Sequence, residues 1–451
     1  MIETKADLLG LEEDLGYLDL PMKALLIEKD GERIYERYWN PIKEGTLLKY
    51  FSCAKSMTML AVGLLAEEGQ IHLDAPISLY FPEYSQNAED PWFSKMTIRN
   101  MLEMRTCYSK TTYNKTSRTE NWVESFFKAE PSHPPGTIFR YDTSSAHTLC
   151  ALVEKITHKD MLTYLKDTVL DDLGFSRWSY LAKDPFGTSM GGSGLMVSAE
   201  DMMKVGNMVM GRGVYRGERF YPGEFLEEAT TYKVSPYFDH NDLRGYGYMT
   251  WMIPGGFAFF GMGSQWVLMY PELSLVIVTA ADTQKIPGAD VMLRNALYRR
   301  VVKPLGGDYM KSVKREGMPF LPYGSSSNED DMNGRGFRFK SNSSGFETMS
   351  LKFGRDSGTL RYRLSGREYS LPFGMDGFCD SLFPGTGAKC TTFGSWLDED
   401  TLYIKSWLSD DFTSSVTFKL FFGDDFAVAQ IGKTEEVQLR EYNGIFNLED
   451  F

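Results

Sequence analysis

From Ser52 to Gly69 the chain reads SCAKSMTMLAVGLLAEEG, with apolar residues at helical spacing and a glycine where the helix should stop. A helix this apolar must be buried inside a larger body. It is not a membrane span, because the stretch around Met57 to Ala66 is interrupted by Thr58 and Gly63 and falls far short of the roughly 20 apolar residues a spanning helix needs. The chain has 451 residues, 42% hydrophobic and 24% charged, a globular balance long enough for two or three domains to enclose such a helix.

The flanking pattern supplies the layers. ALLIEKDGERIYERYW, within Lys23 to Trp39, gives two β-rich runs around Asp30-Gly31, a hairpin signal. From Gly247 to Ala280 the runs YGYMTWMI, FAFFGMG and QWVLMYPELSLVIVTA, separated by Gly and Pro, predict three neighbouring antiparallel strands. A helix over 288–302 follows, closed by Pro304 and Gly306-Gly307. Strands, helices, strands and a last helix predict an α+β fold, its sheet covered by helices. Tyr323 to Asn328 and the acidic Glu329-Asp330-Asp331 mark a breaker. The expected division is therefore residues 1–305, a linker over 306–332, and 333–451. Short alternating runs such as TLRYRL, TLYIKSW and SVTFKLFF predict a small antiparallel barrel or sandwich in the last part.

A formal charge of −13 argues against a nucleic-acid partner. Five cysteines without a CxxC argue against a disulfide framework and for reduced thiols. The amino terminus lacks the basic start and apolar segment of a secretory signal, so a cytoplasmic location is expected. Five histidines without paired ligand spacing predict no metal site, and there is no G-x-S-x-G elbow.

Ser52 and Lys55 stand three apart at the start of the buried helix and share one of its faces. A serine hydroxyl becomes a nucleophile when a base takes its proton, and a lysine serves if burial and the helix's positive end lower its pKa. The pair Ser125 and Lys128 repeats the spacing in a short polar-flanked segment and is expected to be a solvated turn. Cys53 is expected to face away from Ser52 and pack inside. Tyr246, Tyr248 and Trp251 are expected to be core aromatics on strands.

Ser52 to Tyr84 resembles the nucleophile helix and following loop of the β-lactamase-related serine hydrolases, which include class C β-lactamases, penicillin-binding DD-peptidases, family VIII esterases and 6-aminohexanoate-oligomer hydrolases. MTIRNMLEMRT (Met96 to Thr106), HPPGTIFRYDTSSAHTLCALVEKIT (His133 to Thr157) and GGSGLMVSAEDMMKVGNMVM (Gly191 to Met210) are similar to later segments of that family in order and spacing. The resemblance implies a β-lactamase/transpeptidase-like domain with an antiparallel sheet flanked by helices, Ser52 as nucleophile, and Lys55 and Tyr141 as proton-transfer groups. The second motif of the family, Tyr-x-Asn or Tyr-x-Ser, reads Tyr141-Asp142-Thr143, and Thr143 keeps a hydroxyl there. The third, Lys-Thr-Gly or His-Thr-Gly, falls on Phe259-Phe260-Gly261, so both cation and hydroxyl are absent.

Phe259 and Phe260 are then expected to form an aromatic wall favouring a less charged acyl group. Gly261 lets the strand approach substrate closely, and an N–H near Gly261 or Met262 is expected to complete an oxyanion hole with that of Ser52. The resemblance extends to the β-rich part, whose pattern looks like the lipocalin-like domains of some relatives. The expected activity is hydrolysis of a small ester, amide or peptide through an acyl-enzyme, without metal or cofactor and with no oligomeric state implied. The alternatives are a catalytically silent ligand- or peptide-binding protein on the same fold, a true β-lactamase or DD-peptidase, and a chain whose β-rich domain carries the function.

Overall fold

The computed structural model describes residues 6–87, 90–236, 243, 245–307, 324–409, 414–434 and 438–451. Most of the expected linker, residues 308–323, lies outside the described residues. The chain divides into two compact units, one of residues 1–130 with 139–319, the other of 131–138 with 320–451.

The first unit is built on a seven-stranded antiparallel sheet. Its strands lie in the order Glu32–Tyr38, Met22–Lys29, Leu275–Ala281, Gln265–Tyr270, Gly256–Gly261, Trp251–Ile253, Gly245–Tyr246. The hairpin turn falls on Asp30 and Gly31, both at positive φ (53° and 79°), which matches the twist of paired strands. Leu275–Ala281 and Gln265–Tyr270 are buried along their whole length, as strands covered on both faces must be. The run YGYMTWMI makes two short strands where one was expected, because the backbone turns at Met249, whose φ is 45°.

Helices flank the sheet. Helix Ala199–Met210, capped by Ser198, packs against Met22–Lys29, Gln265–Tyr270 and Leu275–Ala281. Gly206 lets it come close: a Cβ there would stand 2.7 Å from Val267 Cγ1 and 3.0 Å from Val276 Cγ1. Helix Leu8–Leu18 packs on helix Ala289–Leu297, and Arg300 ties them by ion pairs to Asp7 (2.6 Å) and Asp14 (2.8 Å). Helix Cys53–Glu67 is buried from Cys53 through Leu65, and Gly69 follows at φ 70°. The predicted core helix therefore sits where its composition requires.

The second unit is an antiparallel β-barrel. Its ten strands form one sheet, and a bridge between Gly374 and Phe393 joins Arg367–Gly374 to Lys389–Trp396. That bridge closes nine of them, leaving Cys379–Leu382 on the outside of Lys389–Trp396. The interior is filled with side chains, among them Phe337, Leu351, Tyr362, Phe373, Trp396, Phe418 and Tyr442. Residues 131–138 were not foreseen as part of this unit. Asn447 Nδ2 donates to the Ser132 carbonyl at 2.9 Å.

Candidate active site

The strand Leu48–Phe51 delivers the chain to the buried helix through an abrupt turn. Phe51 has φ 45°, a conformation costly for a residue with a side chain and one that recurs where geometry serves function. Ser52 follows as the residue ahead of the helix, yet its hydroxyl does not cap it. The hydroxyl is turned elsewhere: Lys55 Nζ lies 3.2 Å from Ser52 Oγ, and the Tyr141 phenol is hydrogen-bonded to Ser52.

Lys55 is almost wholly buried, at 1% exposure. It donates to the Gly192 carbonyl at 2.6 Å, lies 3.5 Å from Thr143 Oγ1, and stands 4.9 Å from the centre of the Tyr141 ring. Its amine is pushed down from 10.5 to about 7, first by burial and then by the like charge of Lys115, against the smaller opposing pull of Asp142. Burial drives the Tyr141 phenol the other way, well above its ordinary value. Near neutral pH the amine is thus partly free to accept a proton while the phenol keeps its own.

Tyr141, Asp142 and Thr143 are placed by the helix Thr143–Thr157. Asp142 is its cap: Oδ1 accepts from the Ser144 N–H at 2.8 Å and Oδ2 from the Ser145 N–H at 2.9 Å. Asp142→Ala is expected to cost about 1–2 kcal/mol of stability, read as a lowered urea midpoint with unchanged slope. Trp251 stacks on the Tyr141 ring (centroids 5.3 Å, planes 30° apart) and Tyr246 meets it edge-on at 6.3 Å. These two supposed core aromatics are therefore also the wall behind the phenol. Tyr248 is occupied elsewhere, by Glu228 and Arg99.

Gly192 was not singled out from the sequence, although the Gly191–Met210 segment was. A Cβ there would lie 2.5 Å from Thr143 Cγ2 and 2.9 Å from the Thr143 carbonyl, so only glycine brings the Gly192 carbonyl to Lys55. Gly261 is tight for a similar reason, since a Cβ would meet the Tyr50 carbonyl at 2.2 Å. The end of its strand thereby comes against the backbone just ahead of Ser52. Phe259 is fully buried in the core, and Phe260 stacks on Trp266 at 4.0 Å. Of the expected aromatic wall only Phe260 is partly open, and Met262 is exposed.

The remaining candidates lie apart. Cys53 is buried, contacts the Gln265 carbonyl at 3.6 Å and has its thiol pushed up by burial. Lys128 is half-exposed and paired with Glu124. Among the described residues no group of three or more His, Cys, Asp or Glu is arranged to hold a metal, and no helix is long and apolar enough to cross a membrane.

Residues 17–299 match the family model described as Beta-lactamase. Among curated proteins, "Protein flp" of Staphylococcus aureus strain MW2 is 25% identical over 208 residues, a match spanning 42% of each chain. Among solved structures, the octameric penicillin-binding protein homologue from Pyrococcus abyssi is similar with TM-score 0.54 at 19% identity, over 98% of this chain and 100% of that one. EstCE1, a hydrolase with promiscuous acyltransferase activity, is similar with TM-score 0.53 at 14% identity, over 64% of this chain and 99% of that one. At such identities these structures establish the fold.

Proposed function

Given that the chain belongs to the Beta-lactamase family, we propose that it is a serine hydrolase that cleaves a small ester, amide or peptide through an acyl-enzyme on Ser52. The observation that carries this reading is the Ser52 hydroxyl 3.2 Å from a buried amine lowered to about 7. A merely structural lysine gains nothing from such burial, whereas a general base needs it.

In this reading neutral Lys55 takes the proton as Ser52 Oγ attacks the carbonyl carbon. The resulting oxyanion is held by the N–H of Ser52 and an N–H at Gly261 or Met262. Lys55, now an ammonium steadied by the Gly192 carbonyl, returns the proton through the Tyr141 phenol to the leaving group, and the carbonyl–leaving-group bond breaks. Water, activated by the same pair, then hydrolyses the ester on Ser52. The absence of a cation on Gly256–Gly261 favours esterase or amidase activity over β-lactam hydrolysis or DD-peptidase activity. The closed apolar barrel supports reading the second unit as lipocalin-like.

The test is reaction with a fluorophosphonate probe followed by peptide mapping, beside a panel of p-nitrophenyl esters, an aminoacyl anilide and a chromogenic cephalosporin. An adduct on the peptide containing Ser52, with turnover of an ester or anilide, is expected. A chain that neither labels nor turns over any of them is a binding protein on this fold.

A further inference from the structure

Thr58 interrupts the apolar run of the buried helix and has no part in the proton-transfer scheme, although it stands three residues beyond Lys55 on the same side of that helix. It is fully buried. A threonine inside a helix commonly turns its hydroxyl back to the carbonyl four residues earlier. Here Thr58 Oγ1 donates instead to the Gly191 carbonyl at 3.0 Å. The next carbonyl along, that of Gly192, accepts from Lys55 Nζ at 2.6 Å, closer than Ser52 Oγ at 3.2 Å or Thr143 Oγ1 at 3.5 Å. Two successive carbonyls are therefore held by two donors one turn apart on a single helix.

Gly191 and Gly192 are the central residues of a turn in which the Met190 carbonyl accepts from the N–H groups of Ser193 at 3.0 Å and Gly194 at 2.7 Å. A Cβ on Gly191 would stand 2.4 Å from Cys150 Cβ and 2.6 Å from Thr58 Oγ1, and one on Gly192 is barred by Thr143. Close packing thus demands glycine twice, yet glycine is the residue whose backbone is least restrained. The direction of the Gly192 carbonyl must then be set from outside the turn. Among the described residues Thr58 is the donor that reaches the Gly191 carbonyl, and the planar peptide joining the two glycines passes that constraint to the Gly192 backbone.

We propose that Thr58 is a positioning residue: its hydroxyl fixes the Gly191-Gly192 turn so that the Gly192 carbonyl meets the Lys55 amine, orienting the base and steadying it once it has taken a proton. The proposal rests on the serine-hydrolase reading for its effect on rate, whereas the tie from Thr58 to Lys55 exists whatever reaction follows. A carbonyl accepting from an ammonium favours the charged form. Loss of the Thr58 hydroxyl therefore lowers the affinity of Lys55 for a proton and makes it a weaker base when Ser52 gives up its own. The other titratable or charged groups acting on that amine are Lys115, Asp142 and Cys53, with the Tyr141 ring centre 4.9 Å away, and all of them stay in place when Thr58 is changed.

The experiment follows Lys55 itself by NMR through a pH titration of the full chain carrying lysine labelled with carbon-13 at Cε, the Lys55 signal being identified by its loss in Lys55→Met. Thr58→Val keeps the shape of the side chain and removes the donor, and Thr58→Ser keeps the donor. In Thr58→Val the proton affinity of Lys55 is expected to fall about tenfold, the loss of one charge-assisted contact, while Thr58→Ser stays within about twofold of the parent. On an ester that the chain turns over, kcat of Thr58→Val is expected to fall about tenfold with KM nearly unchanged, and the acid limb of the pH profile to move to lower pH; Thr58→Ser restores both. A Thr58→Val chain that is less stable yet titrates Lys55 as the parent does overturns the proposal, and so does a shift that Thr58→Ser shares. If Thr58→Val does not fold, Thr58→Ala, which brings no methyl against the Gly191 carbonyl, is titrated in its place with the same two outcomes. If no ester is turned over, the hydrolase reading fails, and the Lys55 titration alone still decides.

Discussion

Replacing Ser52 with alanine is expected to lower kcat/KM on any substrate the chain hydrolyses by about 10⁴-fold or more, while leaving its stability within about 0.5 kcal/mol of the parent. The two halves of the prediction rest on one geometry. Ser52 opens the buried helix but does not cap it, and Lys55 has other acceptors in the Gly192 carbonyl and Thr143. Removing one oxygen therefore removes the nucleophile without stranding the amine. Stopped assays on the ester panel and urea melts of the two proteins check both halves. A variant that keeps a tenth of the activity would move the chemistry to another residue.

Lys55→Met is expected to lower kcat/KM by about 10²- to 10⁴-fold, and the pH dependence of the parent gives the reason its sign. Lys55 must be neutral to accept the Ser52 proton. With the amine lowered to about 7, activity rises tenfold per pH unit below that point and levels above it. Lys55→Arg, which stays charged throughout, is expected to be as inactive as Lys55→Met. The same ionisation appears in stability. Between about 7 and the ordinary 10.5 the unfolded chain binds a proton at Lys55 that the folded chain does not. Stability contributed by this group therefore grows as pH rises through that window. The difference in urea midpoint between parent and Lys55→Met, measured at pH 6.5 and pH 9, is expected to shift in favour of the parent at the higher pH.

What could be read from the sequence follows from how local each signal is. The Asp30-Gly31 hairpin, the helix from Cys53 and the Ser52–Lys55 face are each specified within a few residues, and each lies where the periodicity put it. Tyr141 and Thr143 were reachable through the order of whole segments. Gly192 was not, because its contribution is a carbonyl oxygen and its missing side chain becomes meaningful only beside Thr143. Phe259 and Phe260 are both apolar, so alternation gave no hint which one turns into the core. Residues 131–138 carry no mark of the barrel, since Asn447 meets Ser132 far along the chain.

The central sheet also fixes when this protein can first exist on the ribosome. Leu26 pairs with Val278 and Ile27 with Ile277, so one of the earliest strands to emerge has for its inner neighbour the last strand of the sheet. Until Leu275–Ala281 has left the exit tunnel, Met22–Lys29 can pair only with Glu32–Tyr38, and an isolated two-stranded hairpin is marginal in water. The apolar helix from Cys53 must therefore wait through most of synthesis for the sheet that covers it. Folding of such a long-range topology is slow and exposes sticky surface, so nascent chains arrested before residue 275 are expected to be captured by chaperones and cut rapidly by protease, and chains arrested well past residue 302 to resist it.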